Sequence, residues 1–578
     1  MDDKIFSVND MNSTESNKTK QSIWKKYLIP FIIIFSIIII LLIIVIILIS
    51  NNKNDKKKEL FGIIKCQYDI QSKQVKILGE EFKKETDLEI FIDNVKIKYT
   101  KDYNFSSFGI HLIEFKLYKK KINMDYMFKN IASLISIEMN TESEIIIESM
   151  SNTFENCINL ETFESSNFST SSVKSFHKLF YNTLLYSFKI DFNFNTINAI
   201  DMSYMFSGSS LTSIDFSLFQ LNNTQNLSHF FSNCKSLFKI DINNINTSNV
   251  KDLSYMFFNC QSFSNLDLSF FDTSKVINMS SMFKECISLQ NLDISSFNTQ
   301  NVEDMSNMFD NCNLLVNINV ANFNTYNVKN LSNLFHLCTS LSEINLNNFQ
   351  TNNVKDISHM FDGCYSLSSL NLHNFDTRNV VDMSYLFNDC NRLIELNLSN
   401  FITSEANNME NIFSGCTALK IIDISNFKTN KVYDMSNMFQ DCYNLINLEI
   451  GHFETNNVKN MSGMFSNCNQ LQTLDIKQFI TKNVEDMSSL FYYCNALTSL
   501  NLDNFETPEV INMAKMFSHC TSLSSLNLKN FNTNKVRDMS FMFESCTSLN
   551  SLDISSFNTN NVINMSNMFQ FCYNLAPL

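Results

Sequence analysis

Two hydrophobic patterns alternate along most of the chain and together form a unit of 26 residues. In one unit Leu292 and Ile294 flank Asp293, and this alternation predicts a short strand with one buried face. A second group of apolar residues follows at spacings of 3, 3, 1 and 3, namely Val302, Met305, Met308, Phe309 and Cys312. That spacing is typical of one face of a helix. We therefore expect each unit to run through a strand, a corner and a short helix before it reaches the next strand.

Cysteine marks the period of this pattern. A cysteine recurs every 26 residues at Cys234, Cys260, Cys286, Cys312, Cys338, Cys364, Cys390, Cys416, Cys442, Cys468, Cys494, Cys520, Cys546 and Cys572. A fixed period of this size is typical of a solenoid, in which each coil packs only against its neighbours. Degenerate copies extend back to Met124, so we expect about eighteen coils between residues 122 and 578. The predicted fold class is an α/β solenoid of strand–helix coils.

The shared position of the cysteines indicates one repeated structural role, that of a small buried hydrophobic side chain. The alternative is a ladder of disulfides between coils, which requires Cα atoms about 4.4–6.8 Å apart. On a helical side of the coil, neighbours would stand about 10 Å apart, and that separation argues against the ladder.

Polar residues at fixed positions of the unit predict how its corners are made. Asp or Asn precedes the Met305 position in every coil from Asp252 to Asn564, and both are favoured helix N-cap residues. Thr fills the Thr299 position from Thr247 to Thr559, where we expect its hydroxyl to satisfy a backbone group. Asn often fills the Asn301 position, and because the chain has only 8 Gly, we expect Asn there to supply a corner with φ > 0.

Two columns of phenylalanine run through the array, from Phe257 to Phe569 and from Phe271 to Phe557. We expect these rings to stack on one another in the core rather than to form a box for an aromatic ligand. Truncation of one ring, as in Phe439→Ala, is expected to cost about 3–5 kcal/mol.

Residues 28–49 are almost entirely Ile, Leu, Phe and Val and match the roughly 20 apolar residues that a membrane helix needs. The stretch is long for a cleaved signal peptide, and Ser50-Asn51-Asn52 is a poor cleavage motif, so an uncleaved signal-anchor is predicted. Lysines flank it on both sides, at Lys18, Lys20, Lys25 and Lys26 and at Lys53, Lys56, Lys57 and Lys58. Flanking charge therefore leaves the orientation open. We favour a polar tail, residues 1–27, inside the cell at the plasma membrane and the repeats outside.

Between the membrane and the repeats, residues 50–59 are predicted to be a charged linker, and residues 60–121 do not repeat. The latter contain β-branched and aromatic segments with partial alternation, and Asp93-Asn94 is typical of a hairpin turn. We expect a small β-rich domain that covers the first open edge of the solenoid.

Charge and motif content argue against several functions. The net charge of -14 disfavours a nucleic-acid partner. The eight histidines share no column, and His336, His359 and His519 are expected at the surface of different coils. No nucleophile elbow, phosphate loop or clustered metal ligand is found. We therefore predict no catalytic residue, cofactor or metal site, and no enzyme activity.

The candidate recognition surface is the outward column in the middle of the strands. It comprises Asp241, Asp267, Asp293, Asn319, Asn345, Asn371, Asn397, Asp423, Glu449, Asp475, Asn501, Asn527 and Asp553. Like charges opposite one another in adjacent strands are destabilising, so the acidic triplets at both ends are conspicuous. Three readings stay open: a solvated polar face, a surface for a basic protein, and a divalent-cation site. Charge reversal at Asp423 and Asp475 is expected to weaken partner binding without unfolding the chain.

The run Asn301-Val302-Glu303-Asp304-Met305-Ser306-Asn307-Met308-Phe309-Asp310-Asn311-Cys312, followed by Leu315, resembles the BspA-type leucine-rich repeat. The resemblance covers residues 124–578, closely in the later coils and loosely before residue 230. It implies a leucine-rich-repeat solenoid at a cell surface, with adhesion or binding of an extracellular or matrix protein as its role. A structural coat or spacer without a specific ligand is the alternative. The sequence ends at Leu578 in mid-coil, which leaves a fragment, an incomplete gene model and a partner-capped end open.

Overall fold

The structure, a computed structural model, describes residues 17–54, 58–84, 87–216, 219–242 and 245–576. The chain divides into two compact units, residues 1–60 and 61–578. In the first unit, helix α1 runs from Asn17 to Asn54 and is therefore longer than the predicted span of residues 28–49. Its part from Leu28 to Leu48 is long and apolar enough to cross a membrane, although a signal sequence near the N-terminus has the same character. The predicted tail and charged linker lie partly outside the described residues, at 1–16 and 55–57.

The second unit begins with a mixed sheet built by residues 62–190. The strands of this region are β1 (Gly62–Ile70), β2 (Gln74–Lys76), β3 (Leu88–Ile92), β4 (Val95–Ile97), β5 (Asp102–Asn104), β6 (Gly109–Leu117), β7 (Lys121–Asn123), β8 (Leu134–Ser149), β9 (Thr162–Ser169) and β10 (Ser187–Ile190). The sheet order is β10-β9-β8-β1-β6-β3-β4, with β7 on β8, while β2 and β5 pair separately. The turn at Asp93-Asn94 joins β3 to β4 as a hairpin, as predicted.

The segment predicted as a separate capping domain is continuous with the first repeats. Strand β1 pairs antiparallel with β8, and β8 then pairs parallel with β9 in the repeat direction. One hydrogen-bonded sheet therefore contains strands from both regions. The non-repeating strands thus cover the first edge of the parallel array.

The remaining strands are two or three residues long and follow the 26-residue period. They are β11 (Ser213–Asp215), β12 (Lys239–Asp241), β13 (Asn265–Asp267), β14 (Asn291–Asp293), β15 (Glu395–Asn397), β16 (Ile421–Asp423), β17 (Asn447–Leu448), β18 (Thr473–Leu474), β19 (Ser525–Leu526) and β20 (Ser551–Leu552). Neighbouring strands pair in parallel and in register, so that Leu266 lies beside Leu292. A second ladder of isolated parallel bridges joins the Asp and Asn positions from Ser175 to Asn564, which spans 16 turns.

The predicted short helix is wrong. Where the helix was expected, each repeat has six consecutive residues in tight backbone turns instead. Helix α1 is the only α-helix among the described residues. Asn307 and Asn311 have φ of 56° and 59°, and the same two positions are left-handed in most other turns. A right-handed helix requires φ near −63°, so two such residues four positions apart exclude it. The fold is a β-solenoid rather than an array of strand–helix coils.

The backbone hydrogen bonds of this six-residue segment explain why it does not form a helix. Alternate N–H groups bond to the next turn of the solenoid: Asn307 N–H donates to Ser332 O at 2.9 Å, and Phe309 N–H to Leu334 O at 3.0 Å. The N–H groups between them close local turns, as when Met308 donates to Met305 O at 3.2 Å. Adjacent turns are therefore joined by backbone bonds on this side as well as on the strand side.

The polar columns agree with the sequence analysis in part. Asp304 Oδ1 accepts the N–H of Ser306 at 2.9 Å, so this column caps a turn rather than a helix. Thr299 Oγ1 donates to Asn324 O at 2.9 Å and accepts Asn324 N–H at 2.8 Å, which confirms that its hydroxyl satisfies backbone groups. Asn301 does not have φ > 0; instead its Nδ2 donates to Ser274 O at 2.6 Å in the preceding turn.

The core consists of the predicted apolar columns. The rings of Phe283, Phe309 and Phe335 stack nearly parallel with centroids 5.7 and 5.6 Å apart, which confirms the expected ladder. All 16 cysteines are free, and all but Cys572 are buried. The distance argument against disulfides fails, because no helical side keeps the turns about 10 Å apart. The thiols instead form hydrogen bonds to backbone carbonyl groups. Cys312 Sγ donates to Phe283 O at 3.1 Å, and the cysteines of neighbouring repeats do likewise.

Candidate functional site

The outward Asp/Asn column lies at the ends of the short strands, and nearly all of its members are exposed. Most of these side chains also close a turn in the backbone. Asp267 Oδ1 accepts the N–H of Ser269 at 2.9 Å, and Asn319 Oδ1 accepts the N–H of Ala321 at 3.2 Å. Every carboxylate or amide of this kind can make that bond, because only the oxygen is used. The column therefore has a structural role that accounts for its Asp and Asn residues but not for the choice between them.

At the amino-terminal end of the column, aspartates lie beside one another in paired strands. Asp267 lies beside Asp293, and Asp241 lies beside Asp215, in directly paired strands. Asp215 was missed in the sequence analysis, although it lies 26 residues before Asp241. Like charges at this spacing destabilise a sheet by a few tenths to about 1 kcal/mol. The pKa of Asp293 is held below its ordinary value by hydrogen bonds from Ser295, so this carboxylate stays ionised at neutral pH.

An open groove of about 700 Å³ lies on the strand face at this acidic end, and we call it the acidic groove. It is lined by Phe238, Lys239, Ile240, Asp241, Ile242, Asn265, Leu266, Asp267, Phe270, Asn291, Leu292, Asp293, Asn317, Ile318 and Asn319. Three carboxylates of the predicted column thus share a surface with two phenylalanines. Phe238 is 58% exposed and Phe270 is 52% exposed, so both rings are available for contact.

The second acidic triplet of the column is different. Asp475 is paired with Lys477 at 3.1 Å, and hydrogen bonds from Lys477 hold the pKa of Asp475 below its ordinary value. Asp423 lies in register with Asn397 and is only partly exposed. Glu449 stands between the two in the column and is exposed. A lysine is present at both places, Lys477 here and Lys239 in the acidic groove, so it is the two exposed phenylalanines that make the acidic groove the stronger candidate site.

The cysteine column offers no reactive thiol among its buried members. Burial raises the pKa of Cys312, and the neighbouring Cys286 and Cys338 raise it further. A thiol held protonated and hydrogen-bonded in the core is a poor nucleophile and a poor metal ligand.

The structure brings together two histidines that the sequence analysis treated separately. His336, His359 and Asp362 each offer a ligand atom, and these three atoms lie within 4.8 Å of one another. The motif search did not find this cluster. The histidines lie in different columns of adjacent turns, so a search along single columns does not find them. His519 resembles them in position but faces Glu544 at 3.7 Å without a second histidine.

These features define a class of protein: a β-solenoid that repeats one turn and presents a long strand face. A family model described as "Mycoplasma protein of unknown function, DUF285" matches residues 122–241, 148–265, 225–342, 312–421, 407–524 and 496–576. These stretches cover well over half of the chain, and the chain belongs to this family. The family description names no activity, and the resemblance to BspA-type repeats stays a prediction.

Other comparisons give weak likenesses. A search of curated proteins finds no match. The structure of a TLR13–ssRNA13 complex is 18% identical and covers 79% of this chain and 64% of that chain, with a TM-score of 0.22. The alignment thus spans slightly less than two thirds of that neighbour. A leucine-rich repeat protein from Eubacterium ventriosum is 17% identical, with coverages of 65% and 93% and a TM-score of 0.32. A leucine-rich repeat protein from Leptospira interrogans is 13% identical, with coverages of 67% and 88% and a TM-score of 0.20. We base no functional conclusion on likenesses at these TM-scores.

Proposed function

We propose that this chain is a membrane-anchored, protein-binding solenoid whose acidic groove receives a basic and partly apolar segment of an extracellular protein. A surface coat or spacer without a specific ligand is the alternative. The two differ in whether the groove has chemistry that the fold does not need.

The observation that carries the proposal is the choice of Asp over Asn. Asn319 makes the same turn-closing bond as Asp267, so an uncharged residue would serve the fold equally well. The aspartates at 215 and 241, and those at 267 and 293, instead place like charges side by side in two pairs of strands, about 4.8 Å apart within each pair. A charge pattern that costs stability and is not needed for the turn supports a role in binding.

Phe270 supplies a second, independent departure from the repeat. Most other turns have an Asn at this position, and its Nδ2 donates to the preceding turn, as Asn322 does to Ser295 O at 3.1 Å and Asn504 to Lys477 O at 2.6 Å. Phenylalanine cannot make that bond, and its ring is half exposed beside the carboxylates. The groove therefore pairs an apolar contact with a negative one.

The partner chemistry follows from these contacts. Exposed ion pairs contribute only about 0.2–1 kcal/mol each, so carboxylates alone would give weak binding. Aromatic side chains that become buried at an interface contribute more. We therefore infer a partner segment in which Lys or Arg residues flank an apolar side chain, with the charges setting specificity and the ring of Phe270 adding affinity.

The test uses the full chain in detergent and a phage-displayed library of random peptides. We expect enrichment of basic peptides with an apolar residue, and binding that falls at least tenfold in Asp267→Asn/Asp293→Asn. This variant keeps the turn-closing oxygens and removes only the charge. Phe270→Asn, which restores the common residue of that position, is expected to weaken binding separately.

Asp475→Asn is the matched control, because it neutralises the same column outside the acidic groove. Equal loss of binding in this control and in the groove variant would contradict the assignment of the groove. A library that yields no enriched peptide would favour the coat.

The anchoring role rests on α1 alone. We propose that α1 stays in the membrane with the N-terminus inside and the repeats outside. Amino-terminal sequencing of the mature protein distinguishes an anchor from a cleaved signal peptide. Protease treatment of intact cells then tests the orientation: digestion of the repeats with survival of an N-terminal tag is expected, and the reverse result would contradict it.

A further inference from the structure

The six-residue runs form one side of the solenoid, which we call the turn face, and one of its columns alternates basic and acidic side chains over four adjacent repeats. Lys284 Nζ lies 2.6 Å from Asp310 Oδ2, and Asp310 Oδ1 lies 2.8 Å from His336 Nδ1. On its other side, His336 Nε2 lies 3.7 Å from Asp362 Oδ2. His359 lies three residues before Asp362 in the same repeat, and its Nδ1 is 2.7 Å from Asp362 Oδ2 as well. Two imidazoles thus converge on one carboxylate oxygen.

Asp310 fixes the orientation of the His336 ring. Its Oδ1 lies 2.8 Å from His336 Nδ1, and its other oxygen lies 2.6 Å from Lys284 Nζ. With Nδ1 held by Asp310, Nε2 is the ring nitrogen that faces Asp362, at 3.7 Å from Oδ2. A carboxylate that orients a histidine in this way is also the usual support of a metal-binding imidazole.

We propose that His336, His359 and Asp362 bind a divalent transition-metal ion of the zinc class, with Asp310 as the positioning residue for His336. Imidazole nitrogens together with one carboxylate favour such ions over Ca²⁺ and Mg²⁺, which prefer oxygen ligands. Metal–ligand bonds of about 2.0–2.1 Å place neighbouring ligand atoms of a tetrahedral site roughly 3.3 Å apart. The separation of 3.7 Å between His336 and Asp362 is close to this value.

His359 must shift for the site to close, because the three ligand atoms lie within 4.8 Å of one another and a tetrahedral site requires roughly 3.3 Å. The 2.7 Å contact between His359 and Asp362 is a hydrogen bond, so the metal displaces the bridging proton and the two atoms move apart by roughly half an ångström. The side chains of His336 and His359 are 25% and 33% exposed, which leaves a path for the ion and a place for a water as the fourth ligand. Asp362 is 11% exposed and is held from behind by Asn388, whose Nδ2 donates to Oδ1 at 2.8 Å.

The ligands come from two successive turns, so the ion would join them. His336 lies 26 residues before Asp362 in the same column. A repeat array opens most easily where neighbouring turns separate, and an ion that binds only the closed pair stabilises that interface. The bound ion would therefore stabilise the interface between two repeats in the middle of the array. This role does not depend on what the acidic groove binds.

The test is calorimetric titration of the full chain, purified without a polyhistidine tag, with ZnCl₂. We expect one site, weakened at least tenfold in His336→Gln and in His359→Gln. His519→Gln is the matched control, because His519 also faces a carboxylate on the turn face but lacks a second histidine, and it should bind zinc as the unchanged chain does. Circular dichroism confirms that each variant is folded.

Hydrogen exchange provides a readout that does not depend on the heat of binding. Zinc is expected to slow amide exchange at least threefold in residues 330–364 of the unchanged chain and to have no effect in His336→Gln. Absence of zinc uptake, or uptake that persists unchanged in both histidine variants, would overturn the proposal. Exchange that responds to pH but not to zinc would also overturn it, because a proton rather than a metal would then bridge His336 and Asp362.

Discussion

Replacement of Thr403 by valine tests how the turns of the solenoid are held together. The Thr403 side chain is fully buried, and its Oγ1 donates to Lys428 O at 2.7 Å and accepts Lys428 N–H at 2.7 Å. Both bonds join one turn to the next through a single hydroxyl. Valine has nearly the same shape but neither donates nor accepts, so Thr403→Val leaves an N–H and a C=O of Lys428 without this partner.

The expected cost follows from those two groups. A backbone group left without a partner costs about 1–3 kcal/mol when it is buried. Because Lys428 is exposed and its two bonds to Thr403 are only partly buried, each group should lie in the lower part of that range, and Thr403→Val should lose about 2–4 kcal/mol in total. Serine keeps the hydroxyl and removes one methyl group, which costs about 1 kcal/mol. Thr403→Ser is therefore expected to be more stable than Thr403→Val, although valine preserves more of the buried apolar surface.

Urea denaturation of the three proteins gives the global ranking. Exchange of the Lys428 amide gives the local one, since a repeat array can open at one interface before it unfolds as a whole. Exchange of this amide should be fastest in the valine variant. A valine variant as stable as the unchanged chain, or more stable than the serine variant, would refute the bridging role of the threonine column.

Three further predictions concern the core, the left-handed positions and pH. Phe439 stacks between Phe413 and Phe465 with centroids 5.4 and 6.0 Å away, so Phe439→Ala should cost about 3–5 kcal/mol in urea denaturation, and a cost below 1 kcal/mol would contradict the ladder. Asn437 has φ of 53°, so Asn437→Val should cost about 1–3 kcal/mol while Asn437→Gly stays within about 1 kcal/mol; equal effects would contradict the assigned backbone. Burial between two tyrosine rings lowers the pKa of His229 to about 4, below the value of about 6.5 expected in the unfolded chain. The unfolded chain therefore takes up the proton first, and stability falls as pH drops from about 6.5 to about 4. Since His229 is partly solvated, His229→Gln should remove about 1–2 kcal/mol of that fall, and an unchanged pH dependence would contradict the assignment.

The period and the core were predictable from the sequence because each apolar column repeats the same environment. Phe309, Cys312 and Thr299 are buried as their columns indicated, and the threonine bonds backbone as expected. The absence of a helix in each repeat was not predictable from the spacing of apolar residues alone. Apolar residues at 3, 3, 1 and 3 fit a helix, but they equally fit successive turns that each close over three residues.

The signal that separates these two structures is in the Asn residues. We assigned φ > 0 to Asn301, whereas Asn307 and Asn311 hold it. The Asn311 position also carries Gly at Gly363 and Gly415, both with φ > 0, and a glycine in the middle of a predicted helix argues against that helix. Because amide side chains at all three positions look alike in sequence, composition alone does not show which one is left-handed.

The candidate sites divide in the same way. The acidic column was visible because its members are spaced by one period, but the exposed Phe270 was not singled out, since the two phenylalanine columns of the array are core. His336 and His359 are 23 residues apart and belong to different columns. Only the stacking of the turns brings them to one carboxylate.

Carboxyl footprinting tests the central claim, that the acidic groove is the binding surface, most directly. The full chain would be treated with a carbodiimide and glycine ethyl ester, with and without the most enriched basic peptide, and the modified aspartates quantified by mass spectrometry. Asp267 and Asp293 are predicted to be protected, while Asp553, exposed in the same column but outside the groove, reacts equally in both samples. Equal reactivity of Asp267 and Asp293 with and without bound peptide, or protection confined to carboxylates of the turn face, would contradict the claim.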